Sequence, residues 1–267
     1  MKNNDIIMSE KFECLKNEID RLSAELSNLI EERDRLQYVV CKNIEVKYIL
    51  LFGSMECELF EQSCEMFRNK LKIEYIQAKL NRQEKVDVQE IDNMLDIEFE
   101  KYKNLLNEQY ERLQYAQAME KNKTMTVAEM KKFKKMYHEV VKKIHPDLNV
   151  NLSEKEVSLF YDAVDAYKTG DYEKLEFIYE TLKLNFKGVN IENSYEKLSK
   201  LKIKLEKNIE FAKNSINKIK SEFPYTEKDL IYDSEKISEK RKIIKEKTDF
   251  YRIQNENYLR KIAEMTR

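Results

Sequence analysis

The chain of 267 residues carries 49 basic and 50 acidic side chains, so 37% of it is charged while its net charge is close to zero. With 3 Gly and 2 Pro it is poor in turn formers, which excludes an all-β fold and keeps loops scarce. Near-neutrality excludes a global field drawing the chain to nucleic acid or a membrane surface, so electrostatic recognition has to come from local clustering.

The abundance of Glu, Lys, Leu, Ile and Asn predicts an all-α protein built of elongated helical hairpins and coiled coils. The longest apolar run, YILLF (48–52), is too short to span a bilayer. The first residues, MKNNDIIMSEKFE, lack an apolar stretch followed by a small-residue cleavage site, so no signal peptide is expected and the expected location is cytoplasmic. Cys14, Cys41, Cys57 and Cys64 include no pair at the two-residue spacing of zinc or redox motifs, and read as reduced, packed thiols.

In chain order, Phe12, Leu15, Ile19, Leu22, Leu26 and Leu29 alternate spacings of three and four, a coiled-coil seam that continues at Leu36 and Val40 after a charged interruption at Arg33. From 43 to 80 apolar residues cover more than one face, as in a helix with two neighbours, and Gly53 predicts close approach of another helix. NRQEKVDVQE (81–90) reads as a turn, with Asp87 as N-cap and Glu90 at the capping-box position. A second helix is predicted from about Val88 to Lys121. Residues 1–123 thus read as an N-terminal helical hairpin or coiled coil.

Next comes a small module, 124–188. TVAE (126–129) opens a helix that Pro146 stops at Ile144. Ser153 and Glu156 cap another helix that ends at Gly170, and Asp171 caps a third reaching about Phe186, with Gly188 beyond. In 189–267, Leu205, Ile209, Ala212, Ile216, Ile219 and Phe223 keep heptad spacing. A turn follows at Pro224, and Leu230, Ile237, Ile244, Tyr251, Tyr258 and Met265 recur every seventh residue, which predicts a C-terminal hairpin.

The chemistry concentrates in the module. On a helical wheel Met130, Phe133, Tyr137, Val140, Val141 and Ile144 share one face. Lys131, Lys135, His138 and Lys142 fall nearly opposite, flanked by Lys132, Lys134 and Lys143. The following helix offers Val157, Phe160, Val164 and Tyr167 as the matching apolar face. Two antiparallel helices with a basic outer face are therefore expected, joined by a loop bearing His145, Pro146 and Asp147.

FKKMYHEVVKKIHPDLN (133–149) resembles the second helix and loop of the J-domain family, the co-chaperones of DnaK-type ATPases. Phe133 matches the usual apolar position, Tyr137 the characteristic tyrosine, Lys142 and Lys143 the basic stretch, and His145-Pro146-Asp147 the signature tripeptide. LFYDAVDAYK (159–168) is similar to the third helix, with Phe160 as its phenylalanine and Ala166-Tyr167 as its closing pair. The resemblance covers about 45 of the 267 residues. The family's opening helix is missing, and YERLQYAQAM (110–119) is expected in its place. His138 stands where an arginine is usual, and the helix after Tyr167 is longer than the family's fourth. Zinc-binding cysteine pairs and a Gly/Phe-rich linker are lacking.

The resemblance implies that Lys131, Lys134, Lys135, His138, Lys142 and Lys143 dock on an acidic surface of a DnaK-type ATPase, and that His145, Pro146 and Asp147 form the chaperone-binding loop. Phe133, Tyr137, Val141, Ile144, Phe160, Val164 and Tyr167 would be module core. The arms would supply targeting, client contact or homodimer formation. No bond-changing chemistry by this chain is implied, and the sequence shows no phosphate loop, activated nucleophile or metal-ligand set. No cofactor or metal, no nucleic-acid partner and no membrane partner are expected. The competing reading is a coiled-coil scaffold whose J-like module no longer engages a chaperone, with His145 and Asp147 as a plain helix stop.

Overall fold

The structure, a computed structural model, describes residues 2–121, 125–149, 152–185 and 195–267, and all its regular elements there are helical. Helix α1 spans Lys2–Arg35, α2 Cys41–Tyr48 and α3 Ser54–Asn81, with π-helical segments at Leu36–Val40 and Ile49–Gly53 between them. Then follow α4 (Val88–Glu98), α5 (Glu100–Lys121), α6 (Val127–Ile144), α7 (Glu154–Thr169), α8 (Tyr172–Asn185), α9 (Tyr195–Ser221) and α10 (Ser234–Met265). The all-α class expected from composition is the one observed. The stop at Gly188 lies outside the described residues.

Local signals act as read, with two exceptions. Thr126 and Ser153 each form reciprocal capping boxes with Glu129 and Glu156. Asp87 accepts from the amides of Gln89 (2.9 Å) and Glu90 (3.1 Å), but the Glu90 carboxylate pairs with Lys79 instead of completing a box. The helix expected from Val88 to Lys121 is interrupted at Phe99. Gly170 ends α7 at φ 73°, the left-handed geometry that a Cβ disfavours.

The chain divides into two units, Met1–Asn43 with Lys123–Thr226 and Ile44–Asn122 with Glu227–Arg267. In the first, α1 runs beside α9. Glu18 pairs with Lys202, Glu25 with Lys213 and Glu32 with Lys220, at 2.7, 2.7 and 2.9 Å. Residue numbers rise together on both helices, so they are parallel. Their seam merges with the interfaces of α6, α7 and α8 in one core containing Leu22, Leu26, Ile30, Phe133, Tyr137, Tyr167, Leu175 and Leu205.

In the second unit α3 and α10 are also parallel. Arg252 pairs with Glu58 at 2.6 Å, Asn255 donates to the Gln62 carbonyl at 3.0 Å, and Ile262 shares a core with Ile73 and Ile76. Helices α4 and α5 pack along α3, and Ile91 and Leu95 of α4 join that core with Phe99 from the break between the two. The approach expected at Gly53 is made by α5: a Cβ there would stand 3.3 Å from Leu113 Cδ1. The π segment beside it is braced from α10, where Arg241 donates to the Leu51 carbonyl at 3.2 and 3.3 Å.

The two seams expected to form a C-terminal hairpin each pack within their own unit, α9 on α1 and α10 on α3. A heptad seam states that a helix needs a partner stripe without naming the partner. Across the observed pairing Lys202, Lys213 and Lys220 of α9 lie opposite Glu18, Glu25 and Glu32 of α1. Where three consecutive segments, 1–123, 124–188 and 189–267, are expected, the two compact units are each assembled from separated stretches of chain. Phe223, expected in the seam, is exposed past the end of α9.

Candidate partner-binding site

Helix α6 carries the loop. Its apolar face folds inward as expected, with Phe133, Tyr137, Val141 and Ile144 buried, together with Met136 and Val140. From α7, Phe160 and Tyr167 are buried and Val164 is half-buried. Tyr137 stacks on Tyr167 with ring centres 3.9 Å apart and planes 7° from parallel, and Phe133 lies 5.3 Å from Tyr167. Burial pushes the Tyr167 hydroxyl up to about 12. Helix α8 closes the third side with Leu175, Ile178 and Leu182, and Lys132 of α6 reaches Glu176 at 2.6 Å.

The tripeptide divides into an inner and an outer part. His145 is 5% exposed and sits edge-on to Phe160, ring centres 4.7 Å apart. Its Nδ1 accepts the Asp147 amide at 3.0 Å, and its carbonyl accepts the amides of Leu148 and Asn149, each at 3.0 Å. The acceptor role requires the neutral ring with its proton on Nε2. Burial holds His145 neutral, lowering its proton affinity from 6.5 to about 4 against the opposing pull of Asp147. The Asp147 carboxylate, 4.0 Å from Nδ1, therefore faces a neutral ring; its side chain is half exposed. Pro146 is partly exposed.

His145 therefore serves the loop's own structure: it is the pin on which the loop is wound. The six residues of the expected basic face differ in their surroundings. Lys131, Lys135 and Lys142 are exposed, and Lys134 and Lys143 are half-buried. His138, however, turns toward α1, its Nδ1 2.7 Å from Glu31 Oε2. That approach has the distance of an ion pair without the alignment of a hydrogen bond.

Residues 110–119, expected to stand in for the missing opening helix, belong to α5 in the other unit. Helix α1 packs on α6 directly. Tyr137 donates its hydroxyl to the buried Asp34 carboxylate at 2.6 Å, and Arg33 holds that carboxylate from the other side at 2.7 Å. Glu31 and Asp34 escaped the sequence reading, although the break at Arg33 marked their place. No group of His, Cys, Asp and Glu that could hold a metal ion occurs among the described residues, and no helix there is long and apolar enough to cross a membrane.

No protein-family model matches the chain, nor does any curated protein or solved structure.

Proposed function

We propose that the module is a partner-docking head of the J-domain kind, which engages a DnaK-type ATPase in the cytoplasm and stimulates its ATP hydrolysis, while the chain catalyses no bond change. The reading rests on the resemblance of residues 133–168 to that family. The observation that carries it is the arrangement at the end of α6: Pro146 and the carboxylate of Asp147 stand at the surface just beyond exposed Lys142, on a loop wound around buried His145. A preformed loop loses little ordering entropy on binding, and a lysine face brings salt-sensitive, fast association with an acidic surface.

The second reading, a scaffold that no longer engages a chaperone, is favoured by one observation. His145 has a packing role that would keep it in place without any partner.

The test is single-turnover ATP hydrolysis by a DnaK-type chaperone with the full chain and with Asp147→Asn. The backbone amide of Asp147 does the loop's structural work, so this variant alters the exposed side chain alone. Stimulation by the native chain that falls at least tenfold in the variant supports docking. A folded native chain that gives no stimulation at any concentration supports the scaffold.

A further inference from the structure

Helix α1 grips α6 through two acids one turn apart, Glu31 beside His138 and Asp34 beneath Tyr137. Asp34 is 1% exposed, and a carboxylate so placed requires partners; it has the Tyr137 hydroxyl and the Arg33 guanidinium. The contacts do not end there. The Tyr137 ring stacks on Tyr167 of α7, and Phe160 of the same helix seats His145 edge-on. His145 in turn holds the amides of Asp147, Leu148 and Asn149. Arg33 and Asp34 lie near enough to His145 to shift its proton affinity in opposite directions.

We propose that Asp34 is a positioning residue for the His145–Pro146–Asp147 loop, acting through Tyr137, so that α1 is a working part of the module rather than an arm attached to it. Neutralising the carboxylate weakens the acceptor of a buried hydroxyl and leaves Arg33 without its counter-charge. Either loss lets α6 shift against α7, and the ring stack passes that shift to the seat of His145. The inference rests on the docking reading only for what the loop does to a partner; the geometry of the loop is tested separately.

The experiment is amide hydrogen exchange on the full chain and on Asp34→Asn, Tyr137→Phe, the double variant and Ile178→Val, a mild change in the same core. Tyr137→Phe keeps the ring stack and removes only the hydroxyl, so it stays informative if Asp34→Asn folds poorly. The amides of Asp147, Leu148 and Asn149 are expected to exchange on the order of tenfold faster in either single variant, with little further gain in the double, and at the native rate in Ile178→Val. Two results overturn the proposal. One is native loop exchange in both single variants while α1 and α6 loosen. The other is loop acceleration that Ile178→Val reproduces as part of a general loosening.

A functional arm follows in the ATPase assay. Tyr137→Phe is expected to lower the maximal stimulated rate severalfold, with the half-saturating concentration unchanged, because the lysine face is left intact. If the native chain gives no stimulation, the docking reading falls and the exchange result still decides the role of Asp34.

Discussion

Leu205→Ala tests the pairing of α9 with the module most directly. Leu205 is 1% exposed on α9 and belongs to the core that contains Phe133, Tyr137 and Tyr167. Truncating a buried leucine removes its transfer free energy and opens a cavity, a loss of 2–5 kcal/mol; full burial between several helices places this case at about 3 kcal/mol. A change of that size multiplies the open population roughly a hundredfold. The assay is amide hydrogen exchange resolved by helix, since a chain with two cores need not unfold in one step. Amides of α6 and α7 are expected to accelerate up to that factor, those of α3 and α10 far less. Ile76→Ala, in the core of α3, α4 and α10, is expected to give the reverse pattern. Accelerated α10 amides together with native α6 amides in Leu205→Ala would refute the reasoning, because that is the signature of α9 paired with α10 as a hairpin.

Two further perturbations bear on local structure. His145 is neutral in the folded chain down to about pH 4 but takes up a proton near 6.5 once unfolded, so its contribution is complete above 6.5 and is lost as pH falls toward 4. The loss is at most roughly 3 kcal/mol. Denaturant titrations of the native chain and His145→Gln between these pH values are expected to differ in slope, the variant being flatter; equal slopes would remove burial as the cause. At Gly53 an added Cβ stands 3.0 Å from Ile49 Cγ2 and 3.3 Å from Leu113 Cδ1, so the branched Gly53→Val is expected to lose about 1–3 kcal/mol by overpacking. Thermal unfolding at the native midpoint would show that α5 gives way there.

Much of this fold is legible in the sequence because helix signals are local. The capping boxes at Thr126 and Ser153, the stop at Pro146 and the left-handed cap at Gly170 each follow from a few neighbouring residues. The apolar face of α6 follows from a period of 3.6. Partner choice is another matter, since it depends on which distant stripe offers complementary shape and charge. Polar seam residues are the second blind spot. On α10 the heptad reading followed Ile244, Tyr251 and Tyr258, while Thr248 and Asn255 are buried on the adjoining line. On α1 the seam shifts from Leu29 to Ile30 and from Arg33 to Asp34, as a straight helix drifting about 20° per heptad against a strict seven-residue repeat must do. An acid on that line reads as solvent-facing until the tyrosine opposite it is known.

The same point governs the site. A signature tripeptide treats His145, Pro146 and Asp147 as equivalents, yet their surroundings give them different work. His145 faces inward, neutral, and binds its own loop; Asp147 offers its amide inward and its carboxylate outward. A substitution at His145 therefore disturbs loop geometry and any partner contact together, and lost activity there speaks for neither alone. A change confined to the Asp147 carboxylate leaves the inward amide bond available, so its effect belongs to whatever lies outside. Asp34 and Tyr137 supply the converse: they touch the loop only from within, through Tyr167 and Phe160, and can alter its pose without altering its exposed groups. If the loop acts on a partner, changes at Asp147 and at Tyr137 should both lower the stimulated rate, while only Tyr137→Phe speeds exchange of the Leu148 and Asn149 amides. That difference separates a contact from the scaffold that aims it.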